Sequence, residues 1–232
     1  LFDAGNCGNG ATAMLIQAIW EMGFNPADVK WMVLSHGHVD HIGAVNFFKR
    51  MFGTKIYLGA LDAKMFREHP ELALVQESTD YMDELFVPDV EIHEGDKIKF
   101  GNTEVEFHEA PGHTEGVISC FFDVTDGKET KRVGYYGGFG FNTLQKSFLL
   151  EIGDTNYSMR ETYLRSIEKV INEKVDIFMP NHCVNVDLLN KRQFMIDHPS
   201  EPNPFIDENA WKNYLQMKYD DLKKLMADPA QN

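Results

Sequence analysis

The stretch LSHGHVDHIGAV, residues 34–45, sets three histidines and an aspartate (His36, His38, Asp40 and His41) inside six positions. Neighbouring imidazoles repel once protonated and gain little by packing, so such a cluster needs something to hold it together. A metal ion is the usual physical answer, because neutral imidazole and carboxylate are both good ligands for zinc and its neighbours. His36 and His38 lie two residues apart, so in an extended segment they point to the same side and can share one ion at about 2 Å. Asp40 and His41 come where the chain turns toward a helix, which redirects them to a neighbouring position. The local pattern therefore predicts two adjacent metal sites.

Working outward, KWMVLS reads as a short buried strand that delivers the cluster at its C-terminal end, and IGAVNFFKRMFG as the helix that follows. Upstream, LFDAG reads as a strand end running into a glycine-rich loop. ATAMLIQAIWEMGF then reads as a helix with Met14, Leu15, Ala18, Ile19 and Met22 at helical spacing. Downstream, KIYLGA predicts a strand and residues 61–77 a helix interrupted by Pro70. DKIKFGNTEVEFHEA predicts a hairpin turning at GN, and VISCFFDVT with KRVGYYGG a second strand pair. YSMRETYLRSIEKVINEK is the clearest helix, with Tyr163, Ile167, Val170 and Ile171 on one face. VDIFMP is a buried strand ending at NHC. A polar linker, DHPSEPNPFIDEN, leads to a last helix with Trp211, Leu215, Leu222 and Leu225 in one stripe. The organisation expected is one α/β domain over residues 1–195, with residues 196–232 forming a linker and a C-terminal helix packed on it.

The chain has 232 residues, 43% hydrophobic and 25% charged, an ordinary globular composition that supports a core without disulfide staples. A net charge of −14 argues against nucleic acid and against anionic membranes as partners, since both call for basic surface, and leaves a small-molecule substrate as the expected partner. Cys7, Cys120 and Cys183 are too few and too scattered for a disulfide framework and read as reduced thiols. The sequence opens on LFDAGNCGNG with neither an initiator methionine nor a signal-like segment. Residues are therefore expected to be missing ahead of Leu1, and the location is taken as cytoplasmic by default, with an extracytoplasmic location as the alternative.

His36-Gly37-His38-Val39-Asp40-His41 resembles the HxHxDH signature of the metallo-β-lactamase superfamily. EAPGHTEG resembles that family's second ligand segment and VDIFMPNH its last ligand strand, while LFDAG resembles its DtG strand end. The resemblance covers nearly all of residues 1–190. It implies a four-layer αββα sandwich whose N-terminal strands are missing from this chain. It also implies a binuclear site, with His36, His38 and His113 holding one ion and Asp40, His41 and His182 the other. Two zinc ions are the implied cofactors, with iron or manganese as alternatives, because His and Asp ligands do not select strictly among them. The implied chemistry is hydrolysis by a metal-bound hydroxide, with Asp40 as the catalytic carboxylate that orients the water or shuttles its proton.

One departure separates this sequence from most of the family. Counting on from His113 to where an aspartate normally bridges the two metals lands on Gly137 and Gly138, where no carboxylate is available. Asp154 lies too far along and just ahead of a helix, and is set aside as a ligand. Lacking the bridge while keeping HxHxDH and two later histidines resembles the third subclass of metallo-β-lactamases and its relatives. That implies a hydrolase opening a cyclic amide or ester, a β-lactam included. The alternatives are a lactone or thioester hydrolase similar to lactonases and glyoxalase II, and a non-catalytic metal-binding domain. At the end of GGFGFN and just beyond it, Asn142 and Thr143 are the candidate substrate contacts.

Overall fold

The first sheet grows from the strand that precedes the histidines. In this computed structural model, which describes residues 1–6, 8, 10–75 and 85–232, β1 (Trp31–Val33) pairs parallel with β2 (Lys55–Gly59), and β2 pairs parallel with β3 (Val90–Ile92). Phe2 makes a single parallel bridge to Val33, so LFDAG runs in beside β1. Parallel neighbours need a crossover, and here it is helical. After β1 come a single turn, α2 (Val39–Ile42), and α3 (Val45–Phe52), which ends on Gly53. Met32, Leu34, Ile42, Phe48, Ile56 and Leu58 are all at most 1% exposed and form the core of this unit. The unit comprises Leu1–Glu94 with Thr114–Val117.

Two expectations in this unit need correction. The first helix, α1 (Ala11–Glu21), does form, but its core face is Ile19 with Leu15 and Ile16, while Met14 and Met22 are 67% and 72% exposed. Met22 falls beyond the last helical turn as its cap, and Gly23 at φ 84° turns the chain away. The expected helix over 61–77 is α4 (Ala60–Glu68) followed by a separate 3-10 turn at Pro70–Ala73, because proline cannot continue the hydrogen-bond ladder. Gln76 and Glu77, at the end of that expected helix, lie outside the described residues, as does Cys7; Cys120 and Cys183 are free thiols.

The second unit, Gly95–His113 with Ile118–Asn232, is built on a five-stranded sheet. β4 (Lys97–Phe100), β5 (Thr103–Glu109), β6 (Ile118–Thr125) and β7 (Thr130–Tyr136) form an antiparallel meander, and β8 (Ile177–Pro180) joins β7 in parallel. Both expected hairpins are present. After β7 come α5 (Lys146–Glu151) and α6 (Ser158–Val170). Helix α6 buries Tyr163, Ile167 and Val170 on the expected face. The Asp154 carboxylate caps α6, accepting from the Ser158 and Met159 amides at 2.9 Å and from the Ser158 hydroxyl at 3.0 Å.

After β8 come α7 (Leu188–Asp197), which buries no residue, and α8 (Ala210–Ala227), which buries Trp211, Leu215 and Leu222. Trp211 donates from its indole nitrogen to the Val170 carbonyl at 3.0 Å and packs edge-on against Phe121 and Phe178. The C-terminal helix is thus an integral part of the second unit.

Candidate metal centre

In the first unit the histidine cluster sits where β1 ends and α2 begins. Burial is nearly complete: His36 is 0% exposed, His41 2% and His38 4%. His36 Nε2 faces His38 Nδ1 at 3.1 Å, with the rings edge to face. Two imidazole nitrogens aimed at each other can share one proton or meet one cation, so this pair is arranged for a common ligand. His36, Asp40 and His41 also offer ligand atoms within 4.8 Å of one another. This donor set of two buried imidazoles and a half-exposed carboxylate, convergent in space, fits a zinc-like ion.

His36 and His41 are each held by their Nδ1 nitrogen, the arrangement that fixes which nitrogen faces a metal. His36 Nδ1 meets the Ser35 hydroxyl at 3.0 Å. His41 Nδ1 meets Asp3 Oδ2 at 2.8 Å, and the other oxygen of Asp3 accepts from the Ser35 amide at 2.7 Å. His41 Nε2 lies 3.2 Å from Asp40 Oδ2. Burial works against the His41 imidazolium, but the charges and hydrogen bonds of Asp3 and Asp40 outweigh it and raise the pKa to about 10. The same two carboxylates favour a bound cation at that place.

His113 is the last residue of a second-unit segment that rests on α6. The Ser166 hydroxyl donates to the Pro111 carbonyl at 2.7 Å, and a Cβ on Gly112 would come within 2.6 Å of Tyr163, so only glycine allows this approach. His113 Nδ1 donates to the Gly140 carbonyl at 3.0 Å, leaving Nε2 as the lone-pair nitrogen. Thr143 is 3% exposed, and its hydroxyl donates to the His113 carbonyl at 2.7 Å. Asn142, by contrast, is exposed in the 3-10 turn Asn142–Leu144. His182 follows β8 and is exposed, at the head of the short turn Cys183–Val186. Next to it, Asn181 donates to the Gly137 carbonyl at 2.9 Å.

Of the residues singled out from sequence, the first unit brings together His36, His38, Asp40 and His41, and the second brings Thr143 onto His113. Four further residues emerge only from the structure: Asp3, Ser35, Asp62 and Thr114. Asp3 had a sequence signal, an acid at a strand end just before a glycine. Asp62 had none, since it lies in a stretch that reads as ordinary helix, and Thr114 was passed over although it follows His113 in EAPGHTEG.

Comparisons with known proteins agree with this geometry. The sequence pattern of the Metallo-beta-lactamase superfamily matches residues 1–126. The crystal structure of BJP-1, a subclass B3 metallo-beta-lactamase of Bradyrhizobium japonicum, is similar at a TM-score of 0.82 and 26% identity, over 97% of this chain and 82% of that one. FEZ-1 from Legionella gormanii superposes at a TM-score of 0.81 with 24% identity over 97% of this chain and 84% of its own, a likeness of fold alone. In sequence, the hydroxyacylglutathione hydrolase GloC of Haemophilus influenzae is 33% identical over 133 residues, which is 56% of this chain and 60% of that protein. A protein of Aquifex aeolicus is 33% identical over 94 residues, 40% of this chain and 42% of its own length, so the chain spans about half the length of the curated relatives it matches. Since the family pattern takes in more than half of its residues, this chain belongs to the metallo-beta-lactamase superfamily.

Proposed function

We propose that the protein is a metal-dependent hydrolase that opens a cyclic amide or ester, with a β-lactam as one such substrate. Its ions are held by His36, His38 and His113 and by Asp40, His41 and His182. The observation that carries the metal part of the reading is the convergence of buried His36 and His41 with the half-exposed Asp40, whose ligand atoms lie within 4.8 Å of one another. The substrate class rests on the missing carboxylate at Gly137 and Gly138 and on the likeness to BJP-1.

When bound, such ions polarise a carbonyl oxygen and lower the pKa of water from about 15.7 toward 7. The protein's own groups do the rest. Asp3 and Gly140 set the tautomers of His41 and His113 through their Nδ1 atoms. Asp40, with its side chain 38% exposed, is the carboxylate placed to orient the attacking water and take its proton. Asn142 is the substrate-contact candidate with its amide exposed, while the Thr143 hydroxyl is engaged in holding His113.

A second reading, a thioester hydrolase, is favoured by the 33% identity to the Haemophilus hydroxyacylglutathione hydrolase. One experiment separates them: zinc-loaded protein assayed on a chromogenic cephalosporin beside lactone and glutathione-thioester panels. Cephalosporin turnover that collapses on chelation, and in the double change His36→Ala, His38→Ala, supports the first reading. Thioester turnover with the same dependence supports the second. Activity that survives the double change in a folded protein overturns both.

A further inference from the structure

Asp62 is a fully buried acid whose position in the chain gives no reason for it. It lies in the first turn of α4 at 0% exposure, and burying a carboxylate is costly unless every lone pair is used. Here the carboxylate takes three donors from two segments. Oδ2 accepts from the Gly37 amide at 2.7 Å and from the Thr114 hydroxyl at 2.9 Å, and Oδ1 accepts from the Gly116 amide at 2.8 Å. Gly37 is the residue between His36 and His38. Thr114 is bonded directly to His113.

The surrounding packing serves the same contact. A Cβ on Gly116 would sit 2.2 Å from the Asp62 nitrogen and 2.5 Å from its Cγ, so glycine is what lets this segment reach the carboxylate. One turn further along α4, Met65 and Phe66 press against Gly37 closely enough that a Cβ there would meet them at 2.9 and 2.7 Å. The start of α4 is therefore a floor shaped to both segments. Burial raises the Asp62 pKa to about 6 despite the three hydrogen bonds, so near neutrality it is mostly the charged acceptor its donors require.

We propose that Asp62 is a positioning residue of the metal centre, clamping the peptide between His36 and His38 to the Thr114–Gly116 segment so that His36 and His38 keep the spacing one ion needs. The inference rests on the metal reading above and adds to it a named residue through which the first ion's affinity is set. An ordinary buried ion pair or hydrogen-bond anchor would stabilise the fold without distinguishing between the two metals. This clamp acts on the peptide that carries His36 and His38, with no hydrogen bond from Asp62 to Asp40 or His41.

The test is calorimetric zinc titration of the metal-free full chain, with urea unfolding of the same samples and the optical spectrum of the cobalt-loaded protein. Asp62→Asn keeps the shape but has one acceptor oxygen for three donors. It should weaken the tighter zinc step by about 10–100-fold, the range for lost outer-shell support, and change the cobalt spectrum, while the looser step moves by less than about threefold. Thr114→Val should weaken the same step by a smaller factor, and Thr114→Ser, which restores the hydroxyl, should return it to the parent value. A lower urea midpoint with both zinc steps at parent affinity would overturn the proposal and leave Asp62 as a fold anchor. Should Asp62→Asn fail to fold, the Thr114 pair decides: Thr114→Val binding as tightly as Thr114→Ser overturns it. A parent chain that binds less than one zinc would refute the metal reading itself and this inference with it, whereas normal parent binding with unmoved variants refutes the clamp alone.

Discussion

Asp3 and His41 meet at 2.8 Å, Oδ2 to Nδ1, although the chain separates them by 38 positions. The other oxygen of the same carboxylate holds the Ser35 amide at 2.7 Å. One acid at the entrance strand therefore sets both the tautomer of a proposed ligand and the backbone leading into the cluster. Asp3→Ala should weaken zinc binding at the Asp40/His41/His182 site by about 10–100-fold. It should also cost about 1–3 kcal/mol of stability by stranding the Ser35 amide. Calorimetric titration and urea unfolding read the two effects separately.

Metal should bind in two distinguishable steps. The proposed second site has one carboxylate near two dications where most relatives of this family have two, so its ion should be held more weakly. Protons compete with the ion for His41, whose pKa Asp3 and Asp40 raise to about 10, so this site should empty first as pH falls. Asp40→Asn should remove the weak step and leave the strong one. Gly138→Asp should tighten the weak step, and Gly137→Asp offers the neighbouring position. Neither glycine is among the residues with positive φ, so the backbone there accommodates a side chain without left-handed strain. Two equal, tight steps in the parent would show the ligand partition to be wrong.

Asp62 should write a pH dependence into the stability of the metal-free protein. Its folded pKa, about 6, lies above the ordinary aspartate value of 3.8. The folded state therefore holds this proton more tightly than the unfolded chain. The resulting stabilisation is fully present below pH 3.8, and is lost as pH rises through about 6. Relative to Asp62→Asn, which does not titrate, the parent should lose up to about 3 kcal/mol between those limits and stay level above them. Urea unfolding at stepped pH checks this, and a difference that grows with pH would reverse the sign.

Arg160 ties the C-terminal end to the His113 side of the second unit. It is 1% exposed and donates from Nε to the Leu144 carbonyl at 2.9 Å and from Nη1 to the Gln231 carbonyl at 2.8 Å. Arg160→Met keeps much of the packing volume but leaves those carbonyls without their donors. A loss of about 2–4 kcal/mol is expected, measured by urea or thermal unfolding. Deleting Gln231 and Asn232 should reproduce part of that loss, because it removes one of the two carbonyls Arg160 serves.

The spacing HxHxDH is local information, and it alone pointed to clustered metal ligands, because two residues of extended chain put His36 and His38 on one side. The strands around the cluster, both hairpins and helix α6 were legible for the same reason: each carries its own period of buried residues. What lacked a period was not legible. Strand β3 has three residues of which only Ile92 is buried, so no apolar run like that of β1 marks it. Helix α7 buries none of its residues, so no apolar stripe marks it. Helix α1 shows the opposite failure, a stripe written in the sequence whose outer members, Met14 and Met22, stay exposed.

The sequence by itself determined the family and most of the elements around the cluster, and it nominated the metal-ligand residues, because these depend on side-chain type and short-range spacing. Only the tertiary structure decided what holds those ligands. Asp3 reaches His41 across 38 positions and Asp62 reaches Gly37 across 25 and Thr114 across 52. A buried carboxylate finds its donors through the folded path of the backbone, and no window of sequence records which distant amide or hydroxyl that path will bring to it.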